Sequence, residues 1–271
     1  MDPIEKPLQL LRRFPQVAAV GLSGSVSRGL DDDLADTDLC VFVADLLPTL
    51  DERRQRYKEF GISGHKYLDG DLEVSRIDGF RIDDADYDFL WMSLPEVEQL
   101  LLGLPGNHEC DEYLPGGLLT VQPLFDPQGH IDRLGRLVPT YSEERARSRV
   151  KGNVGKAHFS FYSLAWSTKA PFRSDFFSFF YNQWTVLDSF VSGLFALNRQ
   201  WRAHEKRVID QIQQFELAPS RVSERMRAVM LYQDENANLA ANARNIKLLF
   251  SDLVSISQKE FPGIDLPTEW S

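Results

Sequence analysis

Cysteine is scarce in this chain of 271 residues, and long apolar runs and an excess of basic charge are missing from it. Its two cysteines, Cys40 and Cys110, are too few for a disulfide framework, so a reducing cytosol is the expected compartment. No apolar stretch approaches the roughly 18 residues that a membrane-spanning helix needs. The N-terminal segment carries acids where a secretory signal would be basic, and we therefore expect no such signal.

Basic residues are also outnumbered, with 30 against 40 acidic ones, which gives a formal net charge of −10 and a pI near 5.0. Sequence-independent binding to nucleic acid depends on a basic surface that neutralises phosphates, so nucleic acid is not an expected partner. No internal repeat of fixed period is present, which excludes solenoids and propellers. The remaining composition, 43% hydrophobic and 26% charged, is typical of a globular protein.

Several common catalytic signatures are absent as well. The five histidines are scattered and no Cys-x₂-Cys pair occurs, so a zinc site is not expected. No Gly-Lys-Ser/Thr closes a Walker phosphate loop, and the segment Gly21-Leu-Ser-Gly24 is not the Gly-x-Ser-x-Gly elbow of hydrolases. The acidic stretch 31–38, which follows this segment, lacks the glycine and glutamate spacing of an EF-hand.

Short apolar segments alternate with turns in the first half of the chain, which predicts a mixed α+β domain. Its predicted helices are 4–13, 48–60 and 95–102, and its predicted strands are 17–21, 39–43 and 118–125. Segments 71–78 and 86–92 alternate apolar and polar residues, which predicts a hairpin that turns at Asp78-Gly79. The intervening stretch, 103–117, is rich in glycine and proline and is predicted to be a loop.

The second half changes character from about residue 140, where glycine becomes sparse and helical periodicity takes over. Its clearest example is an apolar set at positions i, i+3, i+4, i+7 and i+8, formed by Leu187, Phe190, Val191, Leu194 and Phe195. We therefore predict an α+β, mixed-sheet domain over residues 1–139 and an all-α domain over 140–271.

One segment of the first domain carries a constellation with chemical meaning. Gly24-Ser25 follows a predicted strand and opens a helical turn, where backbone N–H groups and the helix dipole favour a phosphate. Asp36 and Asp38 lie two residues apart at the start of the next strand, which places both carboxylates on one face about 7 Å apart. Such a pair is unfavourable unless a cation lies between, and Mg²⁺ binds through carboxylates together with substrate phosphates.

This order of residues, Gly24-Ser25 followed by Asp36-Thr-Asp38 and an apolar strand, resembles the polymerase-β-like nucleotidyltransferase superfamily. The resemblance implies Mg²⁺-dependent transfer of a nucleoside monophosphate, expected to be AMP from ATP, to an acceptor hydroxyl. It makes Asp36 and Asp38 catalytic metal ligands, and it assigns Gly24 and Ser25 to the nucleotide phosphates.

A third metal-binding carboxylate from a later strand is also implied by the resemblance. Asp88 is the best candidate, and Asp86 on the same strand is the alternative. Arg28 is a candidate contact for the triphosphate, with a plain surface role as its alternative. The run 31–33 is interpreted as a solvated acidic loop.

The helical half carries a second resemblance. Leu194-Phe-Ala-Leu-Asn198-Arg followed by Lys206, and also Arg173-Ser-Asp175, are similar to the C-terminal region of small bacterial nucleotidyltransferases, including relatives of antibiotic-modifying enzymes. This implies that Asn198 and Lys206 contact the nucleotide, with a plain role on the helix surface as the alternative, and that the acceptor is a small, antibiotic-like molecule. The helical half is expected to form the acceptor wall, with three candidate carboxylates, each with a surface role as its alternative: Asp175, Asp188 and Glu205.

Two other functions stay open at this point. One is a protein-modifying, AMPylating nucleotidyltransferase of a toxin–antitoxin type, whose target is a hydroxyl on a partner protein. The other is a catalytically inactive nucleotide-binding module, which the costly cluster of like charges argues against. The expected partners are a nucleotide and a small acceptor molecule, and association with a membrane is not expected. The oligomeric state is open between a monomer and a homodimer.

Overall fold

The computed structural model describes residues 4–33, 35–62, 64–72, 75–83, 85–106, 112–163, 175–230 and 239–270. The chain divides into two compact units, Met1–Pro139 and Thr140–Ser271. Among the described residues, no helix combines the length and the apolar character that crossing a membrane requires.

The first unit is built on one mixed sheet of six strands in the order β3-β4-β5-β2-β1-β6. Strands β2 and β5 pair in parallel, and every other neighbouring pair is antiparallel. The strands are β1 (Val17–Leu22), β2 (Thr37–Val43), β3 (His65–Leu72), β4 (Ser75–Ile82), β5 (Ala85–Ser93) and β6 (Gln122–Phe125).

Helices and one short 3₁₀ turn (Leu104–Gly106) precede, connect or follow these strands. They are α1 (Glu5–Leu11), α2 (Gly24–Ser27), α3 (Leu50–Glu59), α4 (Leu94–Gly103), α5 (Tyr113–Leu118) and α6 (His130–Leu137). Helix α3 begins with a capping box, because the Thr49 side chain accepts from the Glu52 N–H and the Glu52 carboxylate accepts from the Thr49 N–H.

Apolar side chains from the sheet and from α1 and α3 form the core of this unit. Leu10 and Leu11 of α1 and Tyr57 of α3 are fully buried, together with strand residues such as Val41 and Phe89. Alternation along the strands sends these side chains to one face, and the opposite face carries Asp38 and Asp88 near one edge and buried apolar residues such as Phe42 and Met92 further along.

A buried ionic network crosses this core. The Asp78 carboxylate of β4 is fully buried and accepts from Arg53 Nη1 at 2.6 Å, Tyr57 Oη at 2.6 Å and Trp91 Nε1 at 3.1 Å. Its other oxygen accepts from the backbone N–H of Asp69 at 2.8 Å. Burial and the nearby Asp78 charge raise the pKa of Tyr57 well above its usual value, so this phenol remains a donor.

The cysteine in this sheet is chemically quiet. Cys40 is buried in β2, and burial raises the pKa of its thiol to about 12. A thiol that stays protonated at neutral pH is a poor nucleophile, so we assign Cys40 a role in packing and not in catalysis. Cys110 lies outside the described residues.

All regular secondary structure in the described residues of the second unit is helical. Its core brings together the predicted apolar face at Leu187–Phe195, which is buried as expected, and residues of the other long helices such as Phe161 and Phe250. The helices are α7 (Glu143–Ser163), α8 (Phe176–Leu197), α9 (Val208–Ile212), α10 (Val222–Met230) and α11 (Leu239–Glu260).

The predicted class, an α+β unit with a mixed sheet followed by helices, is confirmed. The hairpin prediction was wrong in detail, because Asp78-Gly79 lies in the middle of β4 and the chain reverses between Ile82 and Ala85. An Asp-Gly pair favours a turn, but here the aspartate is the buried anion of the ionic network. The predicted loop 103–117 includes most of α5, and the strand predicted over 118–125 is limited to Gln122–Phe125.

Breaking the buried network should destabilise the first unit strongly. Replacing Arg53 by methionine, written Arg53→Met, leaves the Asp78 charge buried without its cation, which costs about 3–5 kcal/mol in the free energy of unfolding. Arg54→Met is the matched control, because Arg54 is exposed and its ion pair with Asp51 is worth about 1 kcal/mol or less. Urea denaturation measures both, and equal losses would contradict a structural role for the Arg53–Asp78 pair.

Candidate active site

Three aspartates meet near one edge of the sheet, on the face opposite to the core of α1 and α3. Asp36 lies just before β2, Asp38 lies within it, and Asp88 lies on the neighbouring strand β5. The parallel register pairs Asp38 directly with Asp88, which places both side chains on the same face. One oxygen from each of the three carboxylates lies within 4.8 Å of the others.

The donor set matches a hard divalent cation. Mg²⁺ binds oxygen at about 2.0–2.1 Å in octahedral geometry, so two oxygens on opposite sides of it are about 4.2 Å apart. A spread of 4.8 Å among the three carboxylate oxygens is close to that span. Asp88 is buried, and Asp36 and Asp38 are half-buried, which leaves one side of the cluster open to a substrate.

The turn predicted to hold phosphate lies against Asp38. The Ser23 N–H donates to the Asp38 carbonyl at 2.9 Å, which fixes the start of α2 beside β2. Gly24 has a φ of +68°, and a Cβ at this position would lie 1.8 Å from Asp38 Oδ2. Both the backbone conformation and the close approach to the carboxylate therefore require glycine.

Hydrogen bonds hold the backbone of this turn in place. The Gly24 carbonyl accepts from Ser27 Oγ at 3.2 Å and from Arg28 Nε at 2.9 Å. Gln122 of β6 donates to the Ser27 carbonyl at 2.7 Å. Ser25 is half-exposed at this turn. Helix α2 is a single turn, so individual N–H groups, rather than a helix dipole, are what it offers to a ligand.

Arg28 ends the same turn. Burial lowers the pKa of its guanidinium, and the nearby Asp38 charge opposes that shift. Its Nη1 atom is buried and has no hydrogen-bond partner within the part of the chain that the structure describes. A buried cationic donor of this kind is expected to find an anionic partner.

The alternative third carboxylate, Asp86, has different neighbours. Its carboxylate pairs with Lys66 at 2.6 Å and with Arg81 at 3.2 Å. The hydrogen bond from Lys66, reinforced by both cations, lowers the pKa of Asp86. The structure therefore brings Asp88 to Asp36 and Asp38, and it places Asp86 in a surface ion-pair cluster. The acidic run 31–33 is exposed, as expected.

Candidate residues of the helical half have local partners within their own unit. The Asn198 amide donates to the carbonyls of Leu194 and Leu217, and its oxygen accepts from the Leu217 N–H. Asp188 pairs with Arg202 at 2.6 Å, and Lys206 is exposed. A nucleotide contact by Asn198 or Lys206 stays a prediction.

The other carboxylates proposed for the acceptor also have identifiable local roles. Asp175 caps the first turn of α8 by accepting from the Ser178 N–H at 3.1 Å. Glu205 lies 3.1 Å from the His204 ring. Arg173, which belongs to the second resemblance, lies outside the described residues. Their role toward an acceptor is untested.

Sequence reasoning missed one residue beside the aspartates. Tyr67 of β3 donates a hydrogen bond from its hydroxyl to Asp88. Burial, followed by this bond and the nearby carboxylates, raises the pKa of Tyr67. The sequence signal was Gly79, whose missing side chain makes room for the tyrosine ring, but this glycine was interpreted as part of a turn.

Comparison with known proteins adds little to this picture. No protein-family model and no curated protein matches the chain. Among solved structures, one match is a nucleotidyltransferase-like protein from Exiguobacterium sibiricum, with 10% sequence identity and a TM-score of 0.43. The match covers 92% of this chain and 73% of that one. At this identity and TM-score, function has to follow from the residues of the site themselves.

Two glycine variants separate backbone strain from the contact with Asp38. Gly29→Ala introduces a Cβ at a φ of +64° with no atom within 4 Å, so we expect a loss of about 1–2 kcal/mol in stability and unchanged metal binding. Gly24→Ala adds the same strain and also displaces the Asp38 carboxylate, so it should additionally abolish Mn²⁺ binding. Thermal unfolding and calorimetric titration with Mn²⁺ measure the two effects, and retained Mn²⁺ binding in Gly24→Ala would contradict the tight apposition.

Proposed function

We propose that this protein is a Mg²⁺-dependent nucleotidyltransferase, which transfers the nucleoside monophosphate of a triphosphate, with ATP as the expected donor, to an acceptor hydroxyl. The observation that carries the proposal is the cluster of Asp36, Asp38 and Asp88, whose oxygens lie within 4.8 Å of one another beside a glycine turn. Three converging carboxylates next to the backbone N–H groups that begin α2 form a site for a cation together with a phosphorylated ligand.

The chain's own residues divide the work between the two parts of the ligand. Asp36 and Asp38 would hold the cation, and Asp88 would complete the donor set from the adjacent strand. When bound, Mg²⁺ would neutralise the charge of the triphosphate and lower the pKa of the attacking hydroxyl. Gly24 allows the backbone of the turn to approach a phosphate closely. The backbone N–H and the hydroxyl of Ser25 offer donors to phosphate oxygens.

Arg28 supplies the positive charge that the carboxylates lack. Its Nη1 is buried without a hydrogen-bond partner among the described residues, although its Nε is tied to the Gly24 carbonyl. We propose that Arg28 Nη1 donates a hydrogen bond to a phosphate oxygen of the triphosphate. Transfer then depends mainly on positioning and on neutralising charge, as is general for reactions at phosphorus.

The acceptor is proposed to be a small molecule with a free hydroxyl. The net charge of −10 disfavours a polyanionic acceptor such as RNA and favours a neutral or cationic one. Transfer of label from α-³²P-ATP to a panel of aminoglycosides, lincosamides and protein acceptors identifies the class. Label on a protein alone would redirect the proposal to protein modification.

The metal ligands can be tested without knowing the acceptor. Asp36→Asn combined with Asp38→Asn removes two of the three charges, so binding of a non-hydrolysable ATP analogue in the presence of Mg²⁺ should fall at least 100-fold in calorimetric titration. The melting temperature of the metal-free variant should be equal or slightly higher, because like-charge repulsion is relieved.

Asp31→Asn combined with Asp33→Asn is the matched control, since Asp31 and Asp33 are exposed acids of the same loop and the change of charge is the same. It should bind the analogue as the unmodified protein does. Unchanged binding in the double variant of Asp36 and Asp38 would show that the cluster does not hold the metal–nucleotide complex.

A further inference from the structure

A row of four residues crosses the sheet at the acidic cluster. The strand registers pair Tyr67 of β3 with Gly79 of β4, Gly79 with Asp88 of β5, and Asp88 with Asp38 of β2. Directly paired residues share a face of a sheet, so all four lie on the face that carries the acidic cluster. The Tyr67 side chain therefore starts two strands away from Asp88 and still reaches it with its hydroxyl.

Gly79 makes this reach feasible. A Cβ on Gly79 would lie 2.4 Å from Cζ of the Tyr67 ring and 2.7 Å from two further ring carbons. The ring thus lies flat over the backbone of β4, where a side chain on any other residue would stand. The gap in the row of side chains is filled by a tyrosine that points at the acidic cluster.

The position of Tyr67 along β3 is fixed by the buried ionic network. The register of β3 against β4 shifts between Tyr67 and Gly70, where Asp69 adopts a φ of +60°. This irregularity is held by the Asp69 N–H, which donates to Asp78 at 2.8 Å, and by the Asp69 carboxylate, which pairs with Arg53. The core therefore sets which residue of β3 lies over Gly79.

Packing alone does not account for this arrangement. Tyr67 is 40% exposed and lies on the edge strand, so its ring contributes little to the core. Its hydroxyl donates to a buried carboxylate that belongs to the cluster. Hydrogen bonds from outer groups to ligating carboxylates orient the ligands, and their removal typically costs about 10–100-fold in metal affinity or activity.

We propose that Tyr67 is a positioning residue, which holds the Asp88 carboxylate in the orientation that the cation requires, through the opening that Gly79 leaves. The inference rests on the proposed function, and it names a residue outside the aspartate and glycine pattern. Asp88 has a rotatable carboxylate on an otherwise rigid strand, and the phenol fixes that rotation from the side of β3.

The test compares Mn²⁺ affinity, measured by calorimetry, among single and double variants of the full chain. Tyr67→Phe should weaken Mn²⁺ binding about 10-fold or more, since the ring is kept and only the donor is lost. Gly79→Ala should weaken it to a similar degree, because the added Cβ displaces the ring. The double variant should be no worse than either single variant, and Tyr181→Phe, at an exposed tyrosine of α8, should bind as the unmodified protein does.

A second arm needs no metal. Tyr67→Phe should lower the melting temperature of the metal-free protein when Asp88 is present, and it should have no effect in the Asp88→Ala background. A purely structural tyrosine would give the same change in both backgrounds, which would overturn the proposal.

The outcomes distinguish the two proposals. If the unmodified protein binds no Mn²⁺, the proposed function fails. If it binds Mn²⁺ and Tyr67→Phe binds it equally well, only the role of Tyr67 fails. Incorporation of label from α-³²P-ATP into Tyr67 itself would also overturn a positioning role, because the tyrosine would then be an acceptor.

Discussion

Repulsion among three carboxylates is the constraint on which the rest of the first unit depends. Like charges whose oxygens lie within 4.8 Å of one another repel, and the solvent that reaches Asp36 and Asp38 weakens this repulsion without removing it. A fold keeps such a cluster only by building it on elements that cannot relax. The parallel pairing of β2 and β5, which locks Asp38 opposite Asp88 in the interior of the sheet, provides that rigidity.

The two faces of the sheet hold their carboxylate charges in different ways. On the core face, Asp78 is paired with Arg53 and fully hydrogen-bonded, so its charge is stabilised within the fold. On the opposite face, the aspartate cluster meets the glycine turn and Tyr67, and in our proposal a bound cation neutralises its charge. The network on the first face fixes the irregularity in β3 that places Tyr67 on the second, so stability and site geometry are linked through one short strand.

The sequence was informative where residue type alone dictates position. Asp36 and Asp38 lie two residues apart at the start of a strand, and Gly24 follows another strand, so their positions could be predicted. The mixed sheet with later helices could be predicted from the periodicity of apolar residues. The register of β5 against β2 could not, because pairing between distant strands leaves no local pattern, and Asp86 and Asp88 therefore remained alternatives. Asp78-Gly79 misled because its preference for a turn is local, whereas a buried cation from α3 and a tyrosine ring from β3 determine its conformation.

The most direct measurement is a crystal structure of the full chain grown with Mn²⁺ and a non-hydrolysable ATP analogue, with anomalous scattering used to locate the metal. The account predicts a manganese peak within bonding distance of Asp36, Asp38 and Asp88, with the triphosphate against the turn that begins at Gly24. A manganese peak elsewhere, or a triphosphate bound away from that turn, would contradict it.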